Sequence, residues 1–216
     1  MIEWLEHDSV GGTMLVIGVT GGICSGKSEV ARLLEGFGAN LISADQVGHE
    51  AYTWKSETWI AVVEAFGEGV LQASGDIDRQ KLGSIVFSDP SEMDRLNKIM
   101  HPRMANIVEK KIDSFRDNGS EVVIVEAAVL FEAGWERLVD EVWTVSAPVE
   151  MIVDRLKSRN GLSPDEARQR ITSQMSTEER LKRSHVEVDN SGDVSALRNA
   201  VKILWDDRIK AKVGKV

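Results

Sequence analysis

Residues Gly21 to Ser28 read Gly-Gly-Ile-Cys-Ser-Gly-Lys-Ser and fit the phosphate-binding pattern G-x-x-x-x-G-K-[ST]. Glycines in such a loop let the backbone turn tightly, so that successive N–H groups point at the oxygens of a polyphosphate. The apolar run Met14–Val19 before it reads as a buried strand, and Glu29–Leu34 after it carries apolar residues at helical spacing. A helix starting there adds its positive dipole end to the same spot. The pattern assigns Gly22, Ile23, Cys24, Ser25, Gly26, Lys27, Ser28 and Glu29 to nucleotide binding. Lys27 would reach the β- and γ-phosphates of ATP, and the Ser28 hydroxyl would ligate Mg²⁺.

Phosphoryl transfer further needs positioning, charge neutralisation and a carboxylate near the attacking hydroxyl. Asp45 follows the strand-like run Asn40–Ser43, at the end of a parallel strand where α/β sheets bind ligands. It is the candidate carboxylate, and it is also placed to cap the helix Gln46–Tyr52; the two roles can coexist. Glu126, at the end of Glu121–Ala127, is a candidate for holding Mg²⁺ through water, or else a polar strand terminus. Arg155 and Arg159 share a helix face and read either as arginine fingers supplied in cis or as a solvated face pairing with Glu150 or Asp154. The histidines His7, His49, His101 and His185 lack metal-ligand spacing. His49 lies four residues after Asp45 and would face the same pocket, while His101-Pro102 marks a helix start or break. Trp54 and Trp59 read as core, with an apolar acceptor site as the other reading.

These residues need a scaffold, and the remaining pattern supplies one. Strand-like runs at Met14–Val19, Asn40–Ser43, Glu121–Ala127, Glu141–Val145 and Val186–Asp189 alternate with helical patterns. The helical stretches are Ser28–Phe37, Ser91–Asp117, Pro148–Arg159, Pro164–Ser173 and Val194–Lys212. Alternation of this kind predicts a three-layer α/β/α fold around a five-stranded parallel sheet. Two excursions interrupt it, glycine-bearing Trp54–Asp89 and arginine-dense Ser158–Ser184. Residues 14–212 thus read as one P-loop unit with its core in 14–53, 90–157 and 185–212, preceded by an acidic segment, 1–13, expected to be mobile.

The formal net charge of −9 argues against general affinity for nucleic acid or an anionic membrane. A substrate that is itself anionic must then be held by a local positive site. The single cysteine, Cys24, suits a reducing, cytoplasmic setting. No apolar stretch approaches membrane-spanning length. The expected partners are small molecules, with the chain a monomer or a weak homo-oligomer.

Several linked motifs resemble the dephospho-CoA kinases. Ile17-Gly18-Val19-Thr20 leads into the loop, and Ser43-Ala44-Asp45 sits where that family shows Asp-Ala-Asp. Gly75-Asp76-Ile77-Asp78-Arg79 and Leu82–Phe87 resemble its substrate segment. Leu96-Asn97-Lys98-Ile99-Met100-His101-Pro102 is similar to its Leu-Asn-x-Ile-x-His-Pro, and Leu130-Phe131-Glu132 to its Leu-Phe-Glu. Arg155–Arg159 with Arg170, Ile171 and Gln174 resembles its lid, and Asp189–Gly192 its Asn-x-Gly turn bordering adenine. The resemblance implies transfer from ATP to the ribose 3′-hydroxyl of dephospho-CoA. It makes Asp45 the carboxylate for that hydroxyl, and Arg79, His101 and the lid arginines contacts to anionic groups. It adds Asn190 and Gly192 to the nucleotide site, and makes 54–89 the acceptor-binding excursion and 158–184 the lid. The rival readings are a kinase for a nucleoside or nucleotide, a switch ATPase and a nucleotide-binding module without turnover.

Four positions depart from the family pattern: Ser43 for Asp, Asn160 for Asp, Ala128 for Pro and Cys24 for Gly. If the Cys24 slot needs a positive φ, a non-glycine residue costs roughly 1–2 kcal/mol there. A thiol amid converging N–H groups near Lys27 is also a candidate for oxidation, an inert thiol being the other reading.

Overall fold

The computed structural model describes residues 14–210 and 212, so the reading of residues 1–13 lies outside the described residues. Five strands form the sheet: β1 (Leu15–Thr20), β2 (Asn40–Ser43), β3 (Val122–Glu126), β4 (Glu141–Ser146) and β5 (Val186–Asp189). All pairings are parallel, in the order β2-β3-β1-β4-β5. Nine α-helices are described: α1 (Lys27–Gly36), α2 (Ala44–Ala51), α3 (Glu57–Phe66), α4 (Arg79–Ser88), α5 (Pro90–Asp117), α6 (Val149–Asn160), α7 (Pro164–Thr172), α8 (Thr177–Lys182) and α9 (Val194–Leu204). The chain passes over β3 to reach β2 and over β1 to reach β4. The crossovers diverge at β1 and β3, which opens a crevice at the carboxyl ends of the strands. Register places Val19, Glu126 and Ser43 side by side at that edge.

Strand side chains alternate between two cores, as a pleat buried on both faces demands. Leu15, Ile17, Val19, Val122 and Ile124 join α1 and α9 through Val30, Leu34, Leu197 and Val201. Met14, Val16, Val123 and Val125 join α2 and α5 through Val47, Ala105, Val108 and Ile112. The excursion 54–89 has a third core, Val62, Val70, Ile77, Leu82 and Val86, closed by Met100 of α5. Trp59 packs there and donates its Nε1–H to the Gly75 carbonyl at 2.9 Å. Trp54, by contrast, is 53% exposed with Lys55 over its ring, so the core reading fails for it. A fourth core joins α6 to α7.

Three sequence expectations change. α5 runs unbroken through Pro102, so His101-Pro102 neither starts nor ends a helix. A mid-helix proline removes one N–H from the ladder. Burial of Met100 and Ala105 on either side holds the helix together, and Arg103 Nη1 donates to the Ile99 carbonyl at 3.0 Å. α2 begins at Ala44 rather than Gln46, with Ser43 in the capping position, so Asp45 lies inside the first turn and caps nothing. The helix expected over Val194–Lys212 is α-helical only to Leu204 and then π-helical over Trp205–Lys210. The wider turn keeps Trp205 and Ile209 buried while Arg208 reaches Glu141 on β4.

Glu141 ties the last helical turn to the sheet. It accepts from Arg208 Nε at 3.1 Å, from the buried Trp143 Nε1 at 3.0 Å, and from Lys212. Burial alone would raise its pKa, but these donors and the Arg208 charge outweigh it and hold the carboxyl down to about 2. The folded value lies below the ordinary 4.5, so the stabilisation is complete above that pH and disappears as pH falls toward 2. Glu141→Gln is expected to lower the unfolding free energy at neutral pH by roughly 2 kcal/mol. Urea denaturation across a pH series should show the gap between the two proteins closing as the medium becomes acid. A gap constant down to pH 2 would contradict this account.

Candidate active site

The loop between β1 and α1 turns its N–H groups inward. The Ser25 N–H closes a turn on the Gly22 carbonyl at 3.2 Å, and the Ile23 N–H donates to Gln174 Oε1 at 2.8 Å. The N–H groups of Cys24, Gly26, Lys27 and Ser28 have no protein acceptor among the described residues, and they lie at the start of α1. Free donors at a helix start form an anion cradle. Gly26 adopts φ 103°, and a Cβ on it would lie 2.1 Å from Asn190 Nδ2. Cys24 does hold a positive φ, 53°, so the strain anticipated for a non-glycine residue is present.

Inward N–H groups leave the carbonyls pointing out, and two side chains receive them. Arg155 Nη1 donates to the Cys24 and Ser25 carbonyls at 3.1 and 3.3 Å, and Nη2 to the Asn190 carbonyl at 3.3 Å. Buried Asn190 donates Nδ2–H to the Ser25 carbonyl at 2.7 Å. Arg155 therefore braces the loop through its carbonyls while also lining the cavity beside α1. Arg159, one turn on, is exposed and lines the same cavity of about 900 Å³. Lys27, Ser28, Glu29, Asn190 and Gly192 also line it, with Met151, Val194 and Leu197 as its apolar wall. Neither Arg155 nor Arg159 pairs with Glu150 or Asp154; Glu150 instead pairs with Arg168 at 3.0 Å.

At the strand edge, Ser28 Oγ donates to Glu126 Oε1 at 3.0 Å and Ser43 Oγ to Oε2 at 3.3 Å. One carboxylate, 6% exposed, thus links the loop to the end of β2. Ser28 and Glu126 present adjacent hard oxygen donors, a set suited to Mg²⁺ with the remaining positions filled by phosphate and water. No cluster of three or more His, Cys, Asp or Glu suited to a metal occurs among the described residues.

Asp45 stands exposed two residues beyond Ser43, in the first turn of α2. His49 lies on the same helix face, and its Nε2 meets Arg79 Nη1 from α4, so the first excursion closes onto the strand edge. The Arg79 guanidinium also lies 6.0 Å from the Tyr52 ring centroid. His101 is half-buried on α5; burial lowers its pKa, and the Glu132 charge opposes the shift. An imidazole held below its ordinary range is neutral at pH 7.

Arg180 is the lid residue that sequence reasoning misjudged. It is 1% exposed, and its donors go to Glu132 at 2.7 Å, the Ala128 carbonyl at 2.9 Å, and Thr20 Oγ1 and the Met175 carbonyl at 3.3 Å. A guanidinium so committed does not meet substrate; it anchors the 158–184 segment to the ends of β1 and β3. Arg183 likewise pairs with Glu136 and covers Phe131. A short helix dense in charge reads as a solvated face, and no local pattern marks the one arginine that turns inward. Ser43 and Gln174 stand in motifs that the sequence marks, but their partners do not show there, since each acts through a residue 83 or 151 positions away.

The dephospho-CoA kinase family model matches residues 15–196. The dephospho-CoA kinase of Geobacter sulfurreducens is 44% identical over 195 residues, covering 90% of this chain and 99% of that protein. That of Dehalococcoides mccartyi is 38% identical over 197 residues, covering 91% and 99%. The structure of the dephospho-CoA kinase from Campylobacter jejuni superposes with a TM-score of 0.70 at 25% identity, covering 91% and 98%. The chain belongs to the dephospho-CoA kinase family.

Gly26→Ala is expected to weaken ADP binding by about a hundredfold or more, because it pushes Asn190 off the Ser25 carbonyl and strains φ. Calorimetric titration checks this, with circular dichroism confirming that the fold persists. Wild-type affinity would show that the close approach of Asn190 to the loop is not needed.

Proposed function

We propose that this member of the dephospho-CoA kinase family transfers the γ-phosphoryl group of ATP to the ribose 3′-hydroxyl of dephospho-CoA, giving coenzyme A and ADP in the final step of coenzyme A biosynthesis. The observation that carries the reading is the Ser28–Glu126–Ser43 link. It sets a phosphate cradle and the start of α2, where Asp45 stands, in one frame. The displacement needs donor and acceptor aligned, and little covalent chemistry beyond that.

In this reading the N–H groups of Cys24, Gly26, Lys27 and Ser28 and the Lys27 ammonium hold the β- and γ-phosphates. Asn190, Gly192 and the wall of Met151, Val194 and Leu197 receive the nucleoside. Arg159 faces the phosphates, and Arg155 keeps the loop's shape without touching the reacting atoms. Mg²⁺, held by Ser28 and by Glu126 directly or through water, would neutralise charge building between the β- and γ-oxygens. Asp45 accepts the proton of the 3′-hydroxyl as it attacks, an exposed carboxylate needing only alignment for that task. The excursion 54–89 binds the acceptor with Arg79 and His49, and neutral His101 serves as a hydrogen-bond partner and not a charge. The segment 158–184 excludes water that would otherwise hydrolyse ATP. A cytoplasmic enzyme is the reading that suits one free cysteine. Among the described residues no helix is long and apolar enough to cross a membrane.

ADP release against a panel of acceptors tests the proposal. Release dependent on dephospho-CoA is expected; release only with nucleosides, or only slow hydrolysis, would overturn it. Asp45→Asn is expected to reduce kcat by about a hundredfold or more while ATP affinity stays within about threefold. Near-normal turnover would remove Asp45 from the chemistry.

A further inference from the structure

Gln174 lies between α7 and α8, 151 residues from the N–H group it receives. Its Oε1 accepts from Ile23 at 2.8 Å, inside a loop whose other inward donors suit an oxyanion. Two observations place it over the start of the loop, outside the cavity beside α1. That cavity is lined by Cys24, Gly26, Lys27 and Ser28 of the loop, and Gln174 does not line it. Gln174 instead lies over the first half: a Cβ on Gly22 would be 3.7 Å from its Oε1. Packing points the same way, since Ile23 and Cys24 join the apolar cluster of Leu156, Ala167 and Ile171 that holds α7 against α6. The segment from 158 to 184 is therefore attached to the phosphate loop by the Gln174 hydrogen bond and by the apolar packing of Ile23 and Cys24.

The chemistry of that bond is selective. The Ile23 N–H needs an acceptor, and an aliphatic side chain would leave it without one. A carboxylate would satisfy it but would bring a negative charge beside a loop that holds a polyanion. A carboxamide accepts without adding charge. We propose that Gln174 is a positioning residue that couples closure of this segment to the loop's conformation around ATP, so that water is excluded only when the triphosphate is correctly held. The inference rests on the ATP-dependent transfer proposed above.

Three variants test it: Gln174→Ala, Gln174→Met, which keeps length without an acceptor, and Gln174→Glu, which keeps the acceptor and adds charge. For the first two, transfer kcat is expected to fall about tenfold with the KM for ATP within about threefold. Their ratio of acceptor-independent ATP hydrolysis to transfer should rise at least about fivefold. For Gln174→Glu, ADP affinity is expected to stay near wild type while ATP affinity falls about tenfold. Wild-type hydrolysis ratios in Ala and Met, or equal losses of ATP and ADP affinity in Glu, would overturn the proposal. So would a drop in Tm with an unchanged hydrolysis ratio, the signature of a merely structural contact. If the wild-type protein itself fails to phosphorylate dephospho-CoA, the transfer reading falls on that control. The ATP-to-ADP affinity ratio of Gln174→Glu still decides the role of Gln174, because it needs no acceptor.

Discussion

A loop that turns its N–H groups toward an anion must turn its carbonyls away, and buried carbonyls need donors. In this chain Arg155 and Asn190 meet that demand for Cys24 and Ser25. Both donors stand on elements packed on the β4–β5 side of the sheet, α6 and the turn after β5. The phosphate site is thus made by the far side of the fold as much as by the octet that marks it. The positive φ of Cys24 is tolerated within the same arrangement, since its carbonyl is held by a guanidinium and its side chain packs among the apolar residues of α6 and α7.

The electrostatic layout follows from an acidic protein having to hold an acidic ligand. Most lid arginines are neutralised by protein carboxylates: Arg168 by Glu150, Arg180 by Glu132, Arg183 by Glu136. Lys27 and Arg159 have no such partner among the described residues, and both line the nucleotide cavity. Positive charge is concentrated by pairing it away elsewhere, so the field is local and the net charge of −9 is no obstacle.

The parallel sheet was legible because short strand-like runs alternate with helices of clear period along most of the chain. The loop was legible because its glycines and lysine are contiguous. Contacts made across the fold were not. The orientation of Arg155 depends on carbonyls 130 residues away, and an i, i+4 arginine pair gives no sign of which member turns inward. The capping alternative for Asp45 rests on aspartate's preference for that position; β2 hands over to α2 without a break, so Ser43 takes it instead. Ser43, where the family motif has an acid, forms a hydrogen bond with Glu126, where a second carboxylate would meet like charge.

Helix α5, at 28 residues, is about 42 Å long and serves two cores. Ala105, Val108 and Ile112 belong to the sheet, Met100 to the excursion, and Met104 and Ile107 touch both. The excursion carrying Arg79 is therefore not a portable module: the floor of its core is a stretch of helix written elsewhere in the chain. Residues 54–89 grafted alone into another chain would lack the floor of their core. The apolar stripe from Met93 to Met104 would have to travel with them, and its last member, Met104, also packs against the sheet.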